Sequence, residues 1–503
     1  MKTKYIVLIF FLLGVLTRFP LIEKMQSHWD GPQYSIGVEF YSLAQETPAP
    51  PGYPIYIFFG WVFNQFIQNP HLSLLIVNVV FAGLTAGAFF LAGKYIFTRK
   101  VGVFAALLFL VSPVHYFFGV TAYPYGLVSF FVLVVAVTVY GIIIKRKEYG
   151  LFLGLSYGLF CGIRPQDGLN LFPLVVFGYL GLNFREKMKG FLLFLITIFA
   201  WLLPLLILAG GLQNYITQFS IFLTQGALDS IDGVSKTENL RRIVKGLFLT
   251  LGIASITLFY FLPKLPEGFK NKKQRKLIIF FSLWIIPGLL STLFIRNDHS
   301  GYQMVYMTAL LLLAAYALER LTKSIKLSYL IVAFVLIFNL LWFFRDRDPK
   351  LVLPYIQTSF HYSEVVKNDT EMLKKTKYLK SYFNPAETVV IVGSQHFRPV
   401  MYHLPNFNVV SYSSFETDNP RYRCFIRRGF NWKRTELRSC DNVAIFPKNI
   451  KYLVFFDSKV SNYIRRDNVK NINLGKGLSL YVVPIKQSES FEYNYKLFKT
   501  NDN

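Results

Sequence analysis

The sequence predicts an α-helical polytopic membrane protein, with about eleven transmembrane helices and a C-terminal α/β domain. Of its 503 residues, 53% are hydrophobic, 17% are aromatic and only 16% are charged. A typical soluble domain contains fewer apolar and more charged residues. Apolar runs of roughly 17 to 25 residues, the length that crosses a ~30 Å hydrocarbon core, recur up to Phe344. Beyond Phe344 the apolar runs shrink to the length of strands.

The first apolar run covers residues 5–22 and follows Lys2 and Lys4. It lacks a small-residue cleavage site before the polar stretch and carries Arg18 near its far end, so we expect a retained helix and not a signal peptide. The remaining predicted spans cover residues 72–93, 101–119, 126–144, 149–163, 168–182, 190–209, 246–263, 277–295, 302–318 and 327–344.

Basic residues are concentrated in alternate connections between these spans. The connections at 94–100, 145–147, 185–189, 264–276 and 320–326 are rich in Lys and Arg, and the others are poorer for their length. The positive-inside rule therefore places these loops and the N-terminus in the cytoplasm. Because the predicted number of spans is odd, the chain beyond residue 345 is expected outside the cell membrane.

The net charge of +26 does not indicate a nucleic-acid partner. Much of the excess lies in the loops predicted to be cytoplasmic, where topology requires it and anionic headgroups receive it. A second basic group, between Arg421 and Arg438, lies in the predicted external domain. It is suited to an acidic glycan or to the lipid surface.

We divide the chain into a transmembrane module, residues 1–344, and a soluble extracytoplasmic α/β domain, residues 345–503. In the second part, strand-length runs occur at 388–392, 409–412, 443–446, 452–456 and 478–483. A helical stretch at 370–383 precedes them. Cys424 and Cys440 lie in this domain, either as a disulfide or as two free thiols, whereas Cys161 lies in a span.

The first external loop, residues 23–70, is too polar for lipid and too rich in aromatic residues and proline for a linker. Asp30 precedes Gly31 and Pro32, which can open a helix and make Asp30 its N-cap. A capping position also fixes a carboxylate well enough for it to act as a general base. The prolines before Tyr53 exclude a regular helix until after Pro54, where we expect a short aromatic helix along the membrane interface.

The order of these motifs resembles the C-type glycosyltransferases (GT-C). The matching features are W-D-x-x-x-Y from Trp29, an acidic amphipathic stretch, P-P-G-Y-P-x-Y from Pro50, G-I-R-P-Q-D at 162–167, the multi-span body and the external domain. The chain is most similar to prokaryotic members related to the protein mannosyltransferase and aminoarabinose transferase (ArnT-like) families. The resemblance implies a GT-C fold and inverting transfer of a hexose or pentose from a polyprenyl-phosphate donor to an acceptor hydroxyl on the external face.

The resemblance also implies that Asp30 is the catalytic base. Two departures put a metal site in doubt, because many members have a second acid where this chain has Gly31, and relatives often have His where it has Ala49. His28 or Glu39 are alternative ligands for a divalent ion such as Mg²⁺ or Mn²⁺. The residues expected to bind or orient substrate are His28, Glu39, Glu46 and Tyr53 in the first loop, together with Asp167.

A departing phosphate needs cations, and Arg can hold it bidentately. Arg164 lies at the tip of two predicted spans of only about 15 residues, so we expect it below the membrane surface, facing a cavity. An ion pair with Asp167 is the rival interpretation. Arg296 and His299 form a second candidate phosphate or sugar site, against the alternative of a polar turn. The connection at 210–245 is predicted as a long loop that either closes over the bound donor or is disordered.

Two other functions remain open. A lipid-linked glycan flippase or transporter would also need many spans, and a non-catalytic scaffold for envelope assembly would keep the external domain. An O-antigen-ligase-like enzyme is a nearer alternative. Such an enzyme usually has its large external loop between spans, whereas here the external domain follows the last predicted span. The expected partners are a polyprenyl-phosphate sugar donor, membrane lipids and an acceptor on protein, lipid or glycan.

Overall fold

The computed structural model describes residues 2–144, 148–222, 236–295, 300–321, 324–345, 360–393, 396–411, 425–427, 437–439, 443–446, 449–457, 469–485 and 491–494. By its internal contacts the chain divides into two units. The membrane unit is formed by Met1–Glu23 and Tyr34–Glu364, and the α/β unit by Lys24–Gln33 and Val365–Asn503. A ten-residue piece of the first predicted external loop is therefore part of the α/β unit.

The described part of the chain up to Phe344 is almost entirely helical. Its helices are α1 (Thr3–Arg18), α2 (Gly31–Glu39), α3 (Pro54–Ile67), α4 (Pro70–Ile96), α5 (Arg99–Val111), α6 (Pro113–Val120), α7 (Tyr125–Ile143), α8 (Tyr149–Ile163), α9 (Pro165–Leu180), α10 (Phe184–Leu208), α11 (Leu212–Phe222), α12 (Lys236–Leu251), α13 (Leu265–Lys270), α14 (Lys272–Phe294), α15 (Met304–Arg320) and α16 (Ile325–Phe344). A 3₁₀ segment, Gly252–Lys264, continues α12.

Within the described residues, eight helices are long and apolar enough to cross a membrane. The count becomes nine if α5 and α6, which meet at a 60° bend, form one broken span. Every segment predicted to span is helical, and α8 is a shorter apolar helix. The prediction of a multi-pass membrane protein is confirmed, whereas the number eleven stays a prediction.

Helix α4 lies at the centre of the membrane unit, with 72% of its most apolar window buried. Asn69 caps it, because its side-chain oxygen accepts the backbone N–H of Leu72 at 3.0 Å. Glycines allow its neighbours to approach closely. A Cβ on Gly14 of α1 would lie 2.6 Å from the Cα of Gly83 of α4, so any larger residue there would push the helices apart.

The prediction of a loop at 210–245 is wrong for the described parts of this stretch. Residues 212–222 form α11, and α12 begins at Lys236. The polar residues in this stretch alternate with Leu212, Ile216 and Phe219, which gives α11 an apolar face at helical spacing. The two glycines before it, Gly210 and Gly211, have positive φ angles and end α10.

The α/β unit combines two helices with a mixed sheet. The helices are α17 (Tyr362–Tyr382) and α18 (Phe397–His403), and the strands are β1 (Thr388–Val392), β2 (Asn408–Ser411), β3 (Phe425–Arg427), β4 (Leu437–Ser439), β5 (Val443–Phe446), β6 (Tyr452–Phe455), β7 (Lys470–Asn473), β8 (Ser479–Pro484) and β9 (Phe491–Asn494). All five predicted strands and the predicted helix at 370–383 are present, with ends shifted by one or two residues or, at the helix start, by more.

Among the described residues, seven strands form one sheet in the order β4-β3-β2-β1-β6-β8-β7, and β5 pairs with β9. Strand β1 is parallel to both of its neighbours, β2 and β6, and the outer pairs are antiparallel. Buried residues of α17, α18 and the central strands, including Met372, Val390 and Val400, form the hydrophobic core of this unit.

Candidate active site

The segment that carries Asp30 is bound to the α/β unit through its backbone. The carboxylate of Asp369, on α17, accepts the N–H of Lys24 at 2.8 Å and the N–H of Met25 at 2.9 Å. The side chain of Met25 packs against the hydrophobic core of the same unit. A charged acceptor that takes two backbone N–H groups is a strong anchor for a loop.

Two more contacts fix the segment nearer to Asp30. Nε2 of His403 donates to the backbone carbonyl of Gln26 at 3.1 Å, because a carbonyl can only accept. The guanidinium carbon of Arg398 lies 4.2 Å from the centre of the Trp29 ring, in the geometry of a cation–π interaction. Both basic residues belong to α18.

Asp30 directly precedes α2, which begins at Gly31 and has Pro32 in its first turn. The sequence predicted this arrangement, since Pro is favoured at the first positions of a helix. The side chain of Asp30 is partly exposed, and Gly31 is buried against Gln26. A Cβ at position 31 would lie 3.2 Å from Oε1 of Gln26, which is tight. The chain thus presents a held, partly accessible carboxylate at the start of a helix.

The second predicted site residue, Arg164, lies in the membrane unit between α8 and α9 and is fully buried. Its Nη1 donates to Oδ2 of Asp167 at 2.8 Å. Its guanidinium carbon also lies 4.6 Å from the ring centre of Tyr125 and 4.7 Å from that of Tyr302. The ion pair with Asp167 is confirmed, and the two tyrosines are contacts that the sequence did not indicate.

The opposite edge of the Arg164 guanidinium group makes no hydrogen bond within the described residues. In the described part of the chain, Nε and Nη2 of Arg164 have no hydrogen-bond partner, although both atoms are buried. These two nitrogens form one bidentate edge of the guanidinium fork, the geometry that matches two oxygens of a phosphate. A buried cation with one free fork is expected to bind an anion, because unmet N–H groups in a low dielectric are costly.

Tyrosine side chains form a continuous row from Arg164 into the first loop of the membrane unit. Tyr125 stacks on Tyr123 with ring centres 5.8 Å apart. Tyr123 meets Tyr34 at 6.4 Å, and Tyr34 meets Tyr53 at 5.2 Å and Tyr56 at 5.5 Å, all edge to face. Tyr53, a predicted substrate-binding residue, is therefore part of this row and precedes α3 with a φ of 49°.

Three buried polar side chains, those of Glu23, His71 and Asn78, lie beside the same loop. Oε1 of Glu23 accepts the backbone N–H of Ala122 at 2.9 Å and lies 3.1 Å from Nε2 of His71. Asn78, fully buried in α4, donates to the carbonyls of Thr121 at 2.6 Å and Tyr123 at 2.8 Å. The sequence analysis did not single out Glu23, His71 or Asn78. For Asn78 a signal was available in the sequence, because an amide side chain in the middle of an apolar span is rare and needs buried partners.

The remaining predicted residues are dispersed or outside the described part of the chain. Glu39 is exposed at the end of α2, Glu46 follows a 3₁₀ turn with a φ of 54°, and His28 is half-buried beside Trp29. Arg296, His299, Cys424 and Cys440 lie outside the described residues, so the second phosphate site and the disulfide stay predictions. The described residues contain no group of three or more His, Cys, Asp or Glu side chains arranged to hold a metal ion.

Comparison of the fold with solved structures gives clear matches. ArnT from Cupriavidus metallidurans, bound to undecaprenyl phosphate, superposes with a TM-score of 0.58 and 13% identity over 96% of this chain and 98% of that chain. Its apo state gives a TM-score of 0.55 at 12% identity with the same coverage. The chain has the GT-C fold.

This GT-C fold is the one that the sequence resemblance implied, so that prediction is confirmed. A further match is the oligosaccharyltransferase of Archaeoglobus fulgidus in complex with Zn and sulfate, with a TM-score of 0.46 and 13% identity over 89% of this chain and 67% of that chain. Neither a protein-family model nor a curated protein sequence matches this chain.

Proposed function

We propose that this protein is an integral membrane glycosyltransferase that transfers a sugar from a polyprenyl-phosphate donor to an acceptor hydroxyl. The observation that carries the proposal is the free, buried Nε and Nη2 edge of Arg164, in a fold shared with a protein that has been solved with undecaprenyl phosphate. This edge suits two oxygens of the donor phosphate. The tyrosine row beside it offers apolar ring faces suited to a sugar.

In the proposed reaction, the acceptor oxygen attacks the anomeric carbon from the face opposite the phosphate. The acceptor O–H proton passes to the carboxylate of Asp30, and a new bond forms between oxygen and carbon. The bond from the anomeric carbon to the phosphate oxygen breaks, and its electron pair stays on the phosphate, whose charge Arg164 meets. The configuration at the anomeric carbon inverts, and polyprenyl phosphate is the second product.

The contacts around Asp30 support its role as the base. A base must be held before it can accept a proton in a transition state, and Asp369, Arg398 and His403 hold the segment that carries Asp30. Glu46 and Tyr53 are proposed to orient substrate, and Arg296 remains a proposed second phosphate ligand. Asp30 and Arg164 carry the proton transfer and the charge of the phosphate in this reaction, and His28 and Glu39 stay the predicted ligands of a divalent ion such as Mg²⁺ or Mn²⁺.

We further propose that the reaction takes place on the external face of the cell membrane. The N-terminus would be cytoplasmic and the α/β unit extracytoplasmic, as the distribution of basic loops predicts. The acceptor, whether protein, lipid or glycan, and the choice between hexose and pentose depend on contacts that no linear motif encodes.

Bond cleavage distinguishes this function from a flippase or a scaffold. The purified protein should be reconstituted in liposomes with undecaprenyl-phosphate sugars labelled in the sugar, using mannose and aminoarabinose as the first two donors, together with an envelope extract as acceptor. We expect labelled acceptor and released undecaprenyl phosphate in equal amounts. Movement of intact donor across the bilayer without cleavage would overturn the proposal in favour of a transporter. Absence of both would favour a scaffold.

A further inference from the structure

A cavity in the membrane unit lies at the end of α7 opposite to Tyr125. It has a volume of about 570 Å³ and lies between the last turns of α4 and α7 and the first turns of α14. This volume falls within the range of about 300–1,000 Å³ that is common for small-molecule sites. The mechanism proposed above does not use it.

The walls of the cavity are apolar on one side. They consist of Ile96, Ile143, Ile144, Leu277 and Phe280. Tyr140 closes this side, since its ring meets Phe280 edge to face at 5.9 Å. An apolar surface of this kind at the ends of membrane helices suits an acyl chain and not a water-soluble metabolite.

The other side of the cavity is strongly basic. It is formed by Lys272, Lys273, Gln274 and Lys276, all from the first turns of α14. No acidic residue lines the cavity, and in the part of the chain described by the structure none of the three lysines forms an ion pair. Three ammonium groups without a carboxylate, beside the positive end of a helix, attract an anion.

The change from basic to apolar occurs along a single helix. Helix α14 begins with the sequence K-K-Q-R-K and continues as L-I-I-F-F, so the cavity spans the point where the helix passes from headgroups into hydrocarbon. Helices α4 and α7 end at the same place. The basic side is therefore at the depth of phosphate headgroups, and the apolar side at the depth of acyl chains.

We propose that this cavity is a binding site for an anionic glycerophospholipid. The lipid phosphate is held by Lys272, Lys273 and Lys276, and one acyl chain lies against Leu277 and Phe280. A neutral zwitterionic lipid would bring its own cation to the lysines and leave their charge uncompensated. The bound lipid joins the ends of α4, α7 and α14 and so stabilises this side of the membrane unit.

The test measures which lipids the purified full-length protein retains. The protein in mixed micelles is offered equal amounts of phosphatidylglycerol and phosphatidylcholine with matched acyl chains, and retained lipid is counted by native mass spectrometry. The cavity variant is Lys273→Gln with Lys276→Gln. The control is Lys270→Gln with Arg275→Gln, which removes the same charge from the same stretch although neither residue lines the cavity.

We expect the wild type and the control to prefer phosphatidylglycerol. In the cavity variant, the ratio of retained phosphatidylglycerol to phosphatidylcholine should fall at least about tenfold. Each basic residue near the headgroups contributes about a factor of five to the binding of an anionic lipid, and the variant removes two. Equal losses in the two double variants would indicate a general surface-charge effect and overturn the proposal. Equal retention of both lipids by the wild type would also overturn it.

A second variant tests the apolar side without changing any charge. Ile144 is 44% exposed on the cavity wall, so Ile144→Trp should fill the space and leave the helices in place. We expect it to reduce retained phosphatidylglycerol, with an unchanged elution profile and unchanged sugar transfer. Unchanged retention would show that no acyl chain occupies the cavity. If undecaprenyl phosphate displaces phosphatidylglycerol at equal concentration, the site binds polyprenyl lipid and the assignment to a glycerophospholipid is wrong.

Discussion

The guanidinium carbon of Arg398 lies 4.2 Å from the centre of the Trp29 ring, and Trp29 is the residue before Asp30. With the bonds from Asp369 to Lys24 and Met25, this contact makes the segment of residues 24–33 part of the α/β unit. The α/β unit therefore holds the segment that carries the proposed base.

The first prediction concerns Arg398. Replacement by Ala removes the cation from the Trp29 ring, so Asp30 should be held less well and turnover should fall by about 3- to 30-fold. Binding of undecaprenyl phosphate should not change, because Arg398 is not proposed to touch the donor. The measurement is kcat and KM for transfer, with undecaprenyl phosphate binding on the same sample.

Arg398→Lys keeps a cation and should restore part of the turnover, which a purely steric role would not explain. The matched control is Lys380→Ala, which removes one charge from an exposed position of α17. Asp369→Asn should act in the same direction as Arg398→Ala, since an amide cannot accept both N–H groups as a carboxylate does. Normal turnover in both variants would separate the α/β unit from the chemistry.

The second prediction concerns Arg164. Lys keeps the charge but loses the planar fork, so Arg164→Lys should weaken binding of undecaprenyl phosphate by about 10- to 100-fold while the protein still inserts. Undecaprenyl phosphate is the appropriate probe, because it is released whichever sugar is transferred. The measurement is equilibrium binding of the labelled lipid to purified protein.

Asp167→Asn separates phosphate binding from the ion pair. If Arg164 only ties α8 to α9, both variants should lower the yield and the melting temperature alike, and the folded protein should bind undecaprenyl phosphate normally. That outcome would remove Arg164 from the proposed site. Weaker lipid binding in Arg164→Lys than in Asp167→Asn is the result that we expect.

Much of the fold could be predicted because membrane spans and short strands leave simple patterns. Long apolar runs locate the membrane helices, and short continuous apolar runs locate strands such as β1 and β6. The pattern failed in the described parts of residues 210–245, where glycines and polar residues suggested a loop although the apolar residues of α11 recur at helical spacing.

The site was less predictable, because its contacts join distant parts of the sequence. Asp30 and Arg164 are predicted from local motifs, and the spacing of Arg164 and Asp167 indicates the ion pair that the structure shows. The contact of Arg398 with Trp29 joins residues more than 350 positions apart, and no local pattern indicates it. Glu23 lies at the end of the first predicted span, where an acid usually faces headgroups, so no local pattern distinguishes it.

The third prediction concerns topology. If the basic loops are cytoplasmic, a reporter enzyme that works only in the cytoplasm should be active when fused after Lys276 and inactive when fused after Arg345. The two fusions should be expressed in the same strain, and the activity should be divided by the amount of fusion protein. Activity after Arg345 would place the α/β unit inside and contradict the external reaction.

The fourth prediction concerns an ion pair in the α/β unit. His396 follows β1 and Asp457 follows β6, and the two side chains are hydrogen-bonded at the carboxyl ends of these parallel strands. Burial alone would lower the pKa of His396, but the hydrogen bond and the charge of Asp457 outweigh it and raise the pKa above the ordinary value of 6.5. Burial likewise opposes ionisation of Asp457, but His396 and the N–H of Gly393 hold its pKa below 3.8.

A raised histidine pKa stabilises the folded state fully below about pH 6.5, and that stabilisation is lost as the pH rises through the raised pKa. The lowered pKa of Asp457 stabilises the fold above about pH 3.8 and is lost in stronger acid. Asp457→Asn should therefore lower the melting temperature of the full-length protein more at about pH 5.5 than at about pH 9. Glu387→Gln is the control, because it removes a carboxylate whose ion-pair partner is a lysine, Lys451, and not a histidine. Equal losses at both pH values would contradict the assignment.

The fifth prediction concerns Asp30. Asn has nearly the same shape and still offers an oxygen to cap α2, so Asp30→Asn should leave folding and membrane insertion close to normal. It removes the proton acceptor, and general-base catalysis contributes about 10² to 10⁴ in rate. Glu267→Gln is the control, since it removes one exposed carboxylate from α13, a helix with no residue in the proposed site.

The most direct measurement of the proposed function takes undecaprenyl phosphate binding and sugar transfer from one purified sample of Asp30→Asn. We expect binding equal to that of the wild type and transfer reduced by at least about 100-fold. Transfer within a few-fold of the wild-type rate per folded molecule would contradict a mechanism in which Asp30 accepts the proton.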